Sequence, residues 1–170
     1  MREALKVSIS VAELGAAIAD DFAKAATLAK IDIPRSEIEV THLPAPHRPP
    51  SSLPVGKLAV YVFMYGARCL KVGKAGPKST ARYCSQHYGL KAPSTLAKSL
   101  LDRQGDLGVS GLNEHNAKEW ICQHTTRLNF LMPSRHGVFA LSLLEAFVQC
   151  RLKPEFEGFA SQRSSTNSGR

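Results

Sequence analysis

The strongest apolar run of strand length is Leu58 to Met64, LAVYVFM, dense in the β-branched and aromatic residues that suit a pleated surface. A second strand is predicted at Cys69 to Val72, and Tyr65-Gly66-Ala67-Arg68 supplies a glycine-containing hairpin between the two. The pattern then turns polar through Gly73-Lys74-Ala75-Gly76-Pro77, where two glycines permit close backbone approach. A helix is predicted to open near Ser79, with Arg82 on its first turns.

Upstream, Ser10-Val11-Ala12-Glu13 has the spacing of a capping box, followed by an alanine-rich stretch to about Lys30. Leu14, Ile18, Phe22, Ala25 and Leu28 recur at helical spacing and predict an apolar stripe, with Asp20, Asp21 and Lys24 outside it. Pro34 ends that helix, and the alternation from Glu37 to Leu43 predicts a short strand. Residues 43–56 contain five prolines and read as an extended linker. Downstream, helices are expected from Pro93-Ser94-Thr95 to Arg103 and from Glu114 to Thr125, anchored by Trp120 and Ile121. Arg127 to Met132 is apolar with one asparagine and predicts a third strand; Val138 to Leu152 predicts a strongly apolar helix closed by Pro154. The expected fold is therefore α+β, a small three-stranded antiparallel sheet flanked by helices. Its expected divisions are an N-terminal helical extension (1–42), a linker (43–56), the main domain (57–160) and a polar tail (161–170) too poor in apolar residues to stay ordered.

Charge adds to this picture. The chain has a formal net charge of +8, but residues 1–50 carry six Lys/Arg against seven Asp/Glu, whereas residues 51–170 carry sixteen against seven. The basic excess thus belongs to the main domain and points to a polyanionic partner, nucleic acid above all. The four cysteines, Cys69, Cys84, Cys122 and Cys150, form no C-x-x-C pair and read as reduced thiols of a cytoplasmic protein. Cys122 and His124 make only half of a zinc site. No apolar run approaches the ~20 residues that span a bilayer, and no signal-peptide pattern opens the chain.

The order strand, turn, strand, glycine-rich turn, helix with arginine resembles the GIY-YIG nuclease superfamily. Ala59-Val60-Tyr61 stands where that family has its first triplet, and Lys71-Val72-Gly73, ten residues on, where it has the second. Arg82 falls at the helix arginine, and Glu145, followed by Leu152-Lys153-Pro154, at the metal-binding glutamate. The resemblance covers Leu58 to Gly158. Three positions depart from the family pattern. Lys71 replaces the second tyrosine, Gln86 stands where many members have histidine with His87 next to it, and the late asparagine would fall near Glu157.

The resemblance implies a metal-dependent endonuclease that hydrolyses phosphodiester bonds, with DNA favoured over RNA and a restriction, defence or mobile-element setting. It implies catalytic roles for Tyr61, Lys71, Arg82 and Glu145, with Mg²⁺ or Mn²⁺ on Glu145. One carboxylate suffices for an ion that keeps most of its waters. Tyr61 would activate the water, its ordinarily high pKa lowered by nearby Lys71, Lys74 and Arg82. Arg82 would meet phosphate oxygens with its forked donors. Lys74, Lys78, His87 and Arg135 are the expected further nucleic-acid contacts. Tyr61, Lys71 and Arg82 are expected to open onto one cleft. The alternative function is a relative that binds nucleic acid without cleaving it.

Overall fold

The computed structural model describes residues 9–156; the tail from 161 and the position near Glu157 lie outside them. The helices are α1 (Val11–Leu28), α2 (Thr80–Cys84), α3 (Leu96–Arg103), α4 (Ala117–His124) and α5 (Gly137–Leu152). The strands are β1 (Glu39–Leu43), β2 (Lys57–Tyr65), β3 (Arg68–Ala75) and β4 (Thr126–Pro133). They form a single antiparallel sheet in the order β1-β4-β2-β3. The sheet therefore has four strands rather than the three expected. The added strand is β1, whose alternation was legible, but whose partner β4 lies more than eighty residues away in sequence.

Helices cover both faces. On one, α1 and α5 pack through Ile18, Phe22, Leu141, Leu144 and Val148 onto Leu58, Val60, Val62 and Val72. On the other, α2, α3 and α4 pack onto Ala59, Tyr61, Phe63 and Leu70. Burial on both faces explains why β2 reads as a continuous apolar run without alternation. The capping box of α1 is formed, Ser10 Oγ accepting from Glu13 N and Glu13 Oε2 accepting from Ser10 N.

The buried stripe of α1 is rotated from the expected one: Gly15, Ile18, Ala19, Phe22 and Ala26 face the sheet, and Leu28 is 85% exposed. The cause is close packing. A Cβ at Gly15 would lie 2.9 Å from Val40 Cγ1, so the helix approaches β1 and β4 through its small residues. The proline-rich segment is also not a free linker. Leu53 is buried, His47 N donates to Cys122 O (2.9 Å), and the His47 ring lies in the layer of α4. After α5 the chain turns back along β3, Phe156 N donating to Leu70 O at 2.9 Å.

One irregularity sets the register around Tyr61. Tyr65 pairs with Arg68 and Met64 with Cys69, but Phe63 pairs with Lys71, so a bulge at Leu70 shifts every later pair by one residue. A one-residue slip exchanges the faces of a strand. The bulge therefore puts Lys71 and Gly73 on the face of Tyr61 and directs Lys74 to the α5 face, where it meets Glu145 and Ser142.

Gly73, directly opposite Tyr61, leaves room for its ring: a Cβ there would lie 2.6 Å from the hydroxyl oxygen and 2.7 Å from Cε2 and Cζ. Gly73→Ala is expected to destabilise the fold by about 1–3 kcal/mol, the usual cost of overpacking. The Tyr61 ring cannot yield, because other side chains bound it on its remaining sides. A denaturant-unfolding midpoint equal to that of wild type would contradict this account.

Candidate active site

Tyr61 is fully buried on central strand β2, yet its hydroxyl is the centre of a polar cluster. Arg82 Nε, from α2, donates to Tyr61 Oη at 3.3 Å. The His87 Nε2 atom is 2.6 Å from the same oxygen. With the arginine donating, the tyrosine proton is directed at His87 Nε2, which places the proton of the neutral imidazole on Nδ1. That Nδ1 atom is buried and has no hydrogen-bond partner among the described residues.

His87 is 2% exposed, so it does not line a nucleic-acid surface as expected. Helix α2 ends at Cys84, Ser85 leaves helical geometry (φ −126°, ψ −25°), and a 3₁₀ turn over Gln86–Tyr88 swings the imidazole inward. Burial first, then the charges of Lys71, Arg82 and Arg127, hold its pKa at about 3. Tyr61 is also shifted away from expectation. Burial pushes its pKa above the ordinary 10.0, outweighing the Arg82 hydrogen bond and the Arg82 and Arg127 charges, while the Glu145 carboxylate adds to the rise.

Lys71 faces the same side of the sheet but does not open onto a cleft. It is 5% exposed, and its Nζ donates to Phe156 O (3.0 Å) and Ser94 Oγ (3.2 Å). Its charge bears on His87. Glu145, on α5, makes an ion pair with Lys74 (Oε2 to Nζ 2.8 Å), and Lys74 also donates to Ser142 Oγ at 3.1 Å. Lys78 is exposed beside the β3–α2 turn. Arg135 lies elsewhere, ion-paired with Glu37, which also takes a hydrogen bond from His136. Its charge is thus compensated locally rather than offered to a polyanion. Among the described residues no three His, Cys, Asp or Glu side chains gather in a metal-binding group, and no helix is long and apolar enough to cross a membrane.

Sequence reasoning missed Arg127. Its side chain is 1% exposed, without a carboxylate partner among the described residues. The guanidinium lies over the rings of Tyr83, Tyr61 and Phe63 at 4.7, 5.0 and 5.2 Å. Its nitrogens donate to Tyr83 O, Asn129 Oδ1 and Tyr88 Oη at 2.6, 2.8 and 3.3 Å. Tyr88 in turn donates to His47 Nε2 (2.8 Å), and His47 Nδ1 donates to Thr125 O (2.8 Å). The signal in the sequence was the spacing of Arg127 and Asn129, two apart in a strand that is otherwise apolar and so on one face.

The low pKa of His87 has a consequence for stability. Between its unfolded value of 6.5 and its folded value of about 3, the unfolded chain binds the extra proton, so stability is lost as pH falls through that window. His47, lowered mainly by burial, acts in the same direction. His87 alone is expected to contribute a slope of up to about 1.4 kcal/mol per pH unit. Urea unfolding between pH 6.5 and the carboxylate range measures it, and His87→Phe should flatten the slope. Equal slopes for the two proteins would refute a neutral buried His87.

Comparison with protein-family models, with curated proteins and with solved structures gives no match to this chain.

Proposed function

We propose that the chain is a GIY-YIG-type endonuclease that hydrolyses phosphodiester bonds with the help of a divalent cation, DNA being the favoured substrate. The observation that carries this reading is the Tyr61 hydroxyl held between Arg82 Nε and His87 Nε2 above a glycine that leaves it room. Tyr88 also lies between an arginine and a histidine, but its arginine, Arg127, is buried, whereas Arg82 is exposed and can meet a phosphate.

Arg82 is exposed apart from that contact and makes no ion pair among the described residues, so its remaining N–H groups are available to a phosphate. Lys78, on the same segment, adds uncompensated positive charge. Once a bound phosphate draws Arg82 away from Tyr61 and admits a water to its oxygen, Tyr61 can take that water's proton as it passes its own to His87 Nε2. The hydroxide attacks phosphorus, the P–O bond to the leaving strand breaks, and the departing oxygen takes a proton from solvent. In the free protein the low pKa of His87 opposes this transfer. A bound phosphodiester brings a negative charge against Arg82 and its neighbours, which offsets part of the repulsion that the imidazolium would meet.

Glu145 fits a hard divalent cation. It is a carboxylate with 17% of its side chain exposed, and Oε2 already accommodates one positive group, the Lys74 ammonium. Glu145 would hold Mg²⁺ or Mn²⁺, with Lys74 exchanging its contact. The ion would supply counter-charge to the phosphate and the leaving oxygen.

The alternative, a cleavage-inactive nucleic-acid-binding relative, is favoured by two observations: Glu145 is already ion-paired, and Tyr61 has no exposed surface. Incubating the full chain with plasmid DNA and with RNA, in Mg²⁺ or Mn²⁺ against an EDTA control, separates the two. Metal-dependent cutting supports the nuclease. Binding without cutting across those substrates and metals establishes the alternative.

A further inference from the structure

The end of the sheet at which β2 begins carries an apolar tip. Pro54-Val55-Gly56-Lys57 forms a tight turn, Lys57 N donating to Pro54 O at 3.1 Å, and Val55 within it is fully exposed. Gly56 O accepts from Ser134 N at 2.7 Å, which ties this turn to the segment that opens α5. On the first turn of that helix Val138 and Phe139 are 63% and 84% exposed, and they pack into the core of neither sheet face. Single exposed apolar residues are ordinary, but three on two tethered turns form a patch, which marks a contact surface.

The tip is continuous with the candidate site. Strand β3 ends at the same end of the sheet, Ala75 pairing with Ala59 and Lys74 with Val60, and the turn with Lys78 follows it. Along α5, Val138, Ser142 and Glu145 follow at four- and three-residue spacing and so share one side, and Phe139 stands three residues before Ser142. Ser142 Oγ accepts from the Lys74 ammonium, which pairs with Glu145. No acidic residue stands in the first turn of α5 to repel a phosphate. Phe139 precedes Glu145 by six residues, about 9 Å of helix rise. That is the length of two to three base steps at about 3.4 Å each.

We infer that Phe139, flanked by Val138 and Val55, enters duplex DNA as a wedge between two base pairs, two or three steps from the phosphate at Glu145; the inference rests on the nucleic-acid reading of the site. An apolar side chain driven into a base step parts the stack and kinks the duplex. The cations beside the tip, Lys74 and Lys78, suit the phosphates that flank the opened step. Valine and phenylalanine side chains have no donor or acceptor with which to read a base edge. Selection at this step therefore rests on how readily it opens, and pyrimidine–purine steps such as TA open most easily. The substrate class is a duplex with a flexible step at that distance from the cut.

The full chain is titrated, in EDTA, into a DNA duplex of repeated TA steps with 2-aminopurine in place of adenine, whose fluorescence rises as the base unstacks. A parallel titration uses vesicles of phosphatidylserine and phosphatidylcholine. Wild type should raise the fluorescence of the duplex. Phe139→Ser, at an exposed position on the first helical turn, should keep the wild-type unfolding midpoint, lose the rise and bind the duplex about tenfold more weakly. Phe139→Trp should restore the rise. Binding by wild type with no rise, or a rise that survives Phe139→Ser, overturns the wedge and leaves the nuclease reading intact. Vesicle binding that depends on Phe139, without a rise on DNA, assigns the tip to a membrane surface and overturns the wedge as well. Failure to bind DNA at all overturns both.

Discussion

Tyr61→Phe is expected to lower cleavage by about 10²–10⁴-fold, the range supplied by a positioned proton-transfer group, while the chain stays folded. Phenylalanine keeps the ring that fills the space over Gly73 and packs edge-on against Phe63 and Tyr83. What is lost is the oxygen that accepts from Arg82 and the proton aimed at His87. His87 Nε2, already deep in the protein, would then join its Nδ1 atom in lacking a partner. A stability loss of about 1–3 kcal/mol accompanies a buried polar group left without one. Cleavage of plasmid DNA measured beside the unfolding midpoint separates chemistry from folding. A variant that cuts at the wild-type rate removes Tyr61 from the mechanism and with it the proposed reading.

Glu145→Gln should abolish cleavage, because a neutral amide is a far weaker ligand than a carboxylate for a hard cation. Nucleic-acid binding in EDTA should tighten. The substitution removes a negative charge and frees the Lys74 ammonium from its 2.8 Å ion pair, adding uncompensated positive charge near the phosphate path. Opposite movements of rate and affinity are the signature, since simple misfolding would lower both. If Glu145→Gln cuts as well as wild type, the ion is held elsewhere. If it binds more weakly, the Lys74–Glu145 pair positions the protein rather than restrains it.

Much of the architecture is local and was legible. The β2–β3 hairpin follows from a β-branched and aromatic run, the two-residue Gly66-Ala67 connection and a second apolar run. The long helices follow from caps and spacing: Ser10 and Glu13 for α1, Thr95 for α3, and the apolar stretch before Pro154 for α5. These signals act over three or four residues, within the range of helix and turn hydrogen bonds, so the sequence alone states them. The positions of Tyr61, Arg82 and Glu145 on a strand, the helix after it and the last helix were legible for the same reason.

What the tertiary structure decided depends on contacts between distant segments. Whether Gly73 lies under Tyr61 depends on the bulge at Leu70, a matter of register between strands that no local propensity fixes. The inward turn of His87 depends on α2 stopping at Cys84 so that the imidazole can reach a tyrosine twenty-six residues earlier. Arg127 looks like a surface cation in the sequence. It is buried because Tyr83, Asn129 and Tyr88, brought together by the fold, accept its hydrogen bonds, and three aromatic rings receive its charge. Lys71 is buried for a similar reason, its ammonium taken up by the Phe156 carbonyl and Ser94. Sequence supplied the donors, acceptors and elements; only long-range packing determined which groups lost water, and burial is what set the protonation of Tyr61 and His87.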